Sequence, residues 1–592
     1  MDKASFKQQF NTLTELLMKE RNGTGFWTGK LSSSALGTAV AIVALQIQGK
    51  PESKERIENG LVWLLNHVNT DRGYGDTPES KSNVSTSLLC YAAISYCGYD
   101  DRRTKALSGI EQYLETQNIS FNTGNLISSI LKFYGKDYTF SVPILSMLTI
   151  CGVLDNSAVK KIPQLPFELT LLPASFYRFF NMQVVSYAIP ALVAVGIFVF
   201  KKREHHGLYG LVRNKAIKPA LKKLSEIVPQ SGGFLEAIPL TGFVCMCLIV
   251  GGIENEVVDK GIAFLEKQQR EDGSWPIDTD LSTWVTTLSI KALGPEMAQV
   301  LPQVAIAKLK IHLLNIQYKE RHPFNGASPG GWGWTSFSGS VPDVDDSAGA
   351  ILALLEMYQG EEIETEAIIN GCKWLGGIQN NDGGFPTFCK GWGRLPFDSS
   401  CADLTGHAID ALLNTIEKLN DKIPKTLRRK FYSSAFKASG YLQKTQHPDG
   451  HWLPLWFGNQ YNTDQTNPVY GTAKVSIYLR DCLQYTSLGS DMRINLEHML
   501  SLASWFLLKQ QNKDGSWGEN QGIKGSIEET ALAVSALTES HACIAGLNWL
   551  TEEYKNFGLR PSPIGLYFAA LWYDEKMYPL IYYIEALRIF LQ

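Results

Sequence analysis

The sequence holds ten cysteines and no C-x-x-C pair among them. They are scattered singly from Cys90 to Cys543, and the close pair Cys245 and Cys247 sits in an apolar run that reads as core. This excludes a disulfide framework and fits a reducing compartment. Charge is also scarce, at 19 % of residues, against about 25 % in ordinary soluble domains. Lys and Arg number 55 and Asp and Glu 58, a net charge of −3, so there is no basic excess to hold a nucleic-acid backbone. Nucleic acid is not an expected partner. No glycine-rich phosphate loop and no Cys/His zinc spacing occurs, and no cofactor or metal is expected. From Met1 to Glu20, charged and amide residues interrupt the apolar ones, so no secretory signal is expected.

Long hydrophobic runs are missing too, with one exception. Val184 to Phe200 is a 17-residue apolar run that ends at Lys201-Lys202-Arg203. A spanning helix needs about 20 apolar residues, and Pro190 interrupts this one. Two readings stand: a buried core helix, or an apolar patch from about 165 to 200 that dips into one leaflet, with the basic cluster at the headgroups. A polytopic protein is excluded.

What the chain does have is bulk and repetition. Its 592 residues are 44 % hydrophobic and 11 % aromatic, enough for large cores, which rules out disorder as the main state. Four segments share one layout: an aromatic-apolar pair, a Gln, then Asp-Gly-x-aromatic. They end at Trp275, Phe385, Trp452 and Trp517, with weaker copies near Trp27, Tyr74, Phe234 and Trp332. From Trp275 onward the end-aromatics lie 57, 53, 67 and 65 residues apart. After each comes a polar step and an alanine-rich apolar helix, such as 283–293 or 405–413. Asp-Gly supplies a tight turn at a helix end. One unit is therefore helix, turn, loop, helix, with almost no strand signal. Stacked helical hairpins form an open solenoid or close into rings. Eight or more copies suit an all-α protein of two α-α barrels, divided here as 1–310 and 311–592. The Gln and Trp of each copy are expected to tie a loop to the next helix, a structural duty.

The most informative residues are Pro342-Asp343-Val-Asp345-Asp346-Ser-Ala348, just after Gly331-Trp-Gly-Trp334. Three carboxylates in four positions cannot all stay ionised in an apolar pocket, and a buried acid held in its protonated form is a proton donor. Capping of a helix start by Asp explains the same run equally well. Binding of Mg²⁺ is a third reading, but nothing nearby adds ligands.

With these repeats around it, the Asp-Val-Asp-Asp-Ser-Ala segment resembles the squalene–hopene cyclases, class II triterpene cyclases. The resemblance runs from Trp27 to Tyr578. It implies two barrels with an apolar cavity between them and a monotopic apolar patch on the cytoplasmic side of a membrane, and it leaves a homodimer open. It implies that Asp345 protonates a terminal alkene of a folded polyprene, with Asp343 and Asp346 keeping it in its acid form. His407, in Asp403-Leu-Thr-Gly-His407, matches the family's histidine partner of that acid, and Tyr470, in Tyr-Gly-Thr, matches its proton-return tyrosine. Trp334, Phe388, Phe397 and Trp456 would line the cavity and face the moving cation, since aromatic faces stabilise charge without trapping it. Ile277 and Trp284 join them.

Two departures stand out. The 453–470 loop is longer and more polar than the family's. In place of the late Phe-x-x-x-Phe spacing stands Pro563-Ile-Gly-Leu-Tyr567, which offers Tyr567 as the cation contact there. Squalene is the favoured substrate; other C25–C35 terpenes, or a shorter prenyl alcohol or a diphosphate needing Mg²⁺, are the alternatives. Two competitors share the barrel: a protein prenyltransferase β subunit, with zinc on Cys401, Asp403 and His407, and a noncatalytic lipid carrier.

Overall fold

The computed structural model describes residues 3–134, 138–203, 207–537, 541–565 and 571–592. Its helices build two closed rings. In the first, Ala35–Gln48, Val84–Tyr96, Tyr138–Ile150, Val185–Lys201 and Ile238–Val250 each pack on the next, and the last packs back on the first. In the second, Ser282–Leu293, Val344–Glu356, Ala402–Leu419, Pro468–Cys482, Ile527–Leu537 and Tyr578–Leu591 close in the same way. These inner helices are apolar nearly all round because they are covered on both sides. Outer helices such as Glu256–Gln268 and Lys425–Thr445 bury one stripe and leave a polar face to solvent. Each ring has its own core of buried side chains.

The rings do not part at residue 310. Ser282–Leu293 closes the second ring between Val344–Glu356 and Tyr578–Leu591, and Gln303–Ile316 also packs into the second core. The N-terminal helix Lys3–Lys19 belongs there as well, with Phe6 meeting Phe590 edge-on at 5.6 Å. Trp27 explains why: its indole N–H donates to the Leu17 carbonyl (2.8 Å) while its backbone N–H donates to Thr286 Oγ1 (3.2 Å). The first repeat copy is thereby fastened 259 residues down the chain.

The same fastening recurs at the three strong copies that end in Trp. The Trp275, Trp452 and Trp517 indoles donate to the Leu265, Leu442 and Leu507 carbonyls at 2.7, 2.9 and 2.7 Å. The amide of Gln379 donates to Gly383 O (2.7 Å) in its own turn and to Ser434 O (2.9 Å) on the next outer helix. Gln269, Gln317, Gln446 and Gln511 do likewise. The turn glycine is obligatory: Gly450 has φ +97°, and a Cβ there would sit 2.2 Å from the Leu502 carbonyl oxygen.

The apolar run resolves as helix Val185–Lys201, an inner-ring helix with Val193, Ala194, Val195 and Ile197 fully buried. It is core, so the leaflet reading does not hold for this part of 165–200. The exposed apolar side chains lie beside it: Leu169, Leu171, Phe176, Phe180 and, at 81 % exposure, Phe179, joined by Leu211 and Val212. Among the described residues, no helix is long and apolar enough to cross a membrane.

Candidate active site

Asp343 and Asp345 begin the same helix and do different work. Asp343 is the N-cap of Val344–Glu356, its carboxylate accepting from the Asp346 N–H at 2.9 Å. Asp345, one residue into the helix, reaches across to the neighbouring inner helix, where Asp345 Oδ1 and His407 Nδ1 are 2.6 Å apart. The capping reading therefore holds for Asp343, whereas Asp345 turns away from its own helix start toward His407. Asp345 remains 16 % exposed and lines an apolar cavity of about 370 Å³.

Burial pushes the Asp343 carboxyl up to about 8, with the Asp345 charge adding to the rise. Asp346 is also raised well above the ordinary carboxylate range, by burial first and by its two acidic neighbours next. Asp346 also shares a side-chain hydrogen bond with Asp343 that favours the proton on Asp346. His407 is pulled down by burial, against the hydrogen bond to Asp345, which favours the charged ring. Its imidazole stacks on Tyr478 (4.3 Å between centroids, 10° between planes) and meets Trp284 edge-on at 6.1 Å.

Trp334, Phe388, Phe397, Trp456, Ile277 and Trp284 all line the cavity. The aromatics form one wall: Phe388, Phe397 and Trp456 lie 5.5–5.7 Å from one another, and Trp334 lies 6.1 Å from Phe388. Tyr187, which the sequence reading missed, completes the wall from the first ring, stacked on Phe397 at 5.4 Å. Tyr573 and Asp278 were missed as well. Asp278 accepts from the Trp334 indole at 3.4 Å, and burial beside Glu236 holds its carboxyl well above the ordinary range. A signal for Asp278 was available, since it directly follows Ile277. Tyr187 lay hidden in the apolar run.

Tyr470 does not join this group directly. Its hydroxyl meets that of Tyr582 at 3.4 Å and its ring stacks on Phe457 at 4.6 Å. Tyr478, about two turns further along the same helix, occupies the place against His407. Tyr567 lies outside the described residues. The zinc set fails on geometry: Cys401 donates to Asp403 while His407 turns to Asp345. Among the described residues, no three His, Cys, Asp or Glu side chains are grouped to hold a metal ion. A second cavity, about 740 Å³, meets the first at Tyr187 and Phe388 and reaches Arg178, beside the exposed phenylalanines.

Paired helical rings around a shared cavity define an α-α barrel protein, and ent-copalyl diphosphate synthase from Streptomyces platensis has the same fold. It is 17 % identical, with a TM-score of 0.57 over 99 % of both chains. The squalene-hopene cyclase C-terminal domain model matches residues 281–556, starting at the ring boundary, and the N-terminal domain model matches 10–115. The chain belongs to the squalene–hopene cyclase family. Enfumafungin synthase of Hormonema carpetanum is 24 % identical over 87 % of this chain and 42 % of its own length. A squalene–hopene cyclase of Bradyrhizobium diazoefficiens is 29 % identical over 39 % of this chain and 36 % of its own. The chain thus spans about two fifths of the length of these curated relatives.

Proposed function

We propose that this protein is a class II terpene cyclase, which protonates a terminal alkene of a linear polyprene and closes rings through carbocations. The observation that carries this is the Asp345 carboxyl, hydrogen-bonded to His407 and facing an apolar cavity walled by aromatic faces. The O–H bond of Asp345 breaks and leaves its electron pair on the carboxylate. The alkene π pair forms the new C–H bond, and the cation lies on the adjacent carbon. Asp343 and Asp346, both pushed toward the protonated form, spare Asp345 a neighbouring negative charge that would attract and trap the cation. The wall of Trp334, Phe388, Phe397, Trp456 and Tyr187 stabilises the migrating charge and excludes water. Loss of a proton from the last cation gives an isomer of the substrate, and capture of water gives an alcohol.

The substrate we favour is squalene. The cavity lining contains four aspartates and, among the described residues, no Lys, Arg or His. That suits an uncharged chain better than a diphosphate, which needs cationic partners. The relatives named for squalene support the same choice. We further propose that the exposed patch of Leu169, Leu171, Phe176, Phe179, Phe180, Leu211 and Val212 seats the protein on the cytoplasmic side of a membrane. The larger cavity beside Arg178 would then carry the substrate inward.

The test is incubation of detergent-solubilised protein with squalene and EDTA, followed by mass analysis of nonpolar products. A new compound of squalene's mass, or of squalene plus water, is expected, lost at least ~1000-fold in Asp345→Asn with melting unchanged. Turnover retained by Asp345→Asn would overturn the acid assignment. Turnover of only a prenyl diphosphate, dependent on Mg²⁺, would overturn the choice of substrate.

A further inference from the structure

Two lysines, Lys474 buried and Lys291 half-buried, pack against the ring of Tyr478, the ring that stacks on His407. Lys291 lies 4.9 Å from the ring centre and is paired with Asp481 at 2.9 Å. Lys474 has no such pairing. It is only 4 % exposed, and among the described residues no carboxylate oxygen lies within 4.0 Å of its Nζ. Its Nζ instead lies 5.3, 5.1 and 5.7 Å from the centres of the Trp284, Tyr478 and Tyr582 rings. Two of those rings, Trp284 and Tyr478, also contact His407.

A buried ammonium without a carboxylate is costly, and aromatic faces recover only part of the cost. Packing alone does not ask for it, since the flanking Ala473 and Val475 are fully buried apolar residues on the same inner helix. The charged groups around it come from four other inner helices of the second ring. Asp345 lies on Val344–Glu356, Asp403 and His407 on Ala402–Leu419, Glu585 and Tyr582 on Tyr578–Leu591, and Lys291 on Ser282–Leu293. Burial lowers Lys474 from its ordinary value, while Asp345, Glu585 and Asp403 favour its charged form. The positive charge of Lys474 is in turn among the causes that hold His407 down.

We propose that Lys474 is a positioning residue for the proton donor: its ammonium, caged by three aromatic rings, keeps His407 neutral and stabilises the Asp345 carboxylate that remains once the proton has moved to the substrate. This rests on the functional reading above and deepens it. Neither Lys474 nor His407 changes bonds in the step; the proton leaves Asp345 and its electron pair stays there. The charge favours the carboxylate that the step leaves behind, and protonating a bare alkene depends on how well that carboxylate is held.

Two arms test it. The first needs no turnover. Imidazole NMR of histidine-labelled, substrate-free protein follows His407, assigned by the signal lost in His407→Gln. Lys474→Met is expected to raise the His407 titration midpoint on the order of one pH unit, and Lys474→Arg to leave it near wild type. The second arm is the kcat–pH profile with squalene. Lys474→Met is expected to lower the plateau roughly tenfold and to move the alkaline limb to higher pH, with Lys474→Arg restoring both. An unmoved His407 midpoint in a normally melting Lys474→Met protein overturns the proposal, as does a rate loss with the limb in place. Should Lys474→Met fail to fold, Lys474→Gln removes the same charge and is read the same way. If the wild type converts no polyprene, the functional reading falls, and the titration arm still decides the coupling.

Discussion

Asp343 and Asp345 sit two positions apart at one helix start, yet one ties down its own backbone and the other reaches a histidine 62 residues away. The difference is set by direction: the N-cap side chain folds back on the first turn, whereas Asp345, within that turn, projects from the helix toward its neighbour. A pH prediction belongs at this scale. In the folded protein Asp343 holds its proton up to about 8, against 3.8 ordinarily. Its raised carboxyl therefore favours the folded state most below the ordinary value, and that contribution is lost as pH rises toward 8. Asp343→Asn keeps an N-capping side chain and removes the titration. The melting temperature of the variant, compared with wild type in steps from pH 4 to 8, is expected to gain progressively. A constant offset across that range would refute it. The acidic run was legible in the sequence; which of its members turned outward was not, because that depends on what stands opposite.

At the scale of the element, the repeated Gln is a bracket between helices. Gln379 donates to Gly383 O and Ser434 O and accepts from Ser434 Oγ at 2.7 Å. Replacing it by alanine leaves both carbonyls without that donor inside a buried turn, at a cost of about 2 kcal/mol. Gln379→Ala should unfold at lower urea than wild type, with its product spectrum unchanged, since its side chain is not part of the lining of the acid-bearing cavity. A changed product ratio would mean that the bracket also shapes the site. The helix–turn–helix unit was readable because each bond to the turn is local, within about ten residues. The partner on the next outer helix was not, because for Gln379 it lies 55 residues away.

For the whole molecule, the decisive step is ring closure. It moves Ser282–Leu293 into the second ring and puts Val185–Lys201 inside the first, so that the most apolar run is core and a less conspicuous stretch faces outward. The proposed membrane contact then rests on Phe179, Leu211 and their neighbours. Phe179→Glu with Leu211→Glu is expected to reduce co-sedimentation with anionic vesicles several-fold, while turnover in detergent stays near wild type. Undiminished sedimentation would place the contact elsewhere.

By itself the sequence determined the all-helical repeat, the turn glycines, the acid-bearing helix start and most of the aromatic wall, because each is written in short-range spacing or in a motif. Tertiary structure alone decided where one ring ends and the other begins, which tyrosine stands against His407, that Tyr187 completes the cavity, and that Lys474 lies caged beside the acid. These depend on which inner helices become neighbours when a ring shuts. Closure joins segments hundreds of residues apart, as Trp27 and Thr286 are joined, and no local pattern encodes that distance.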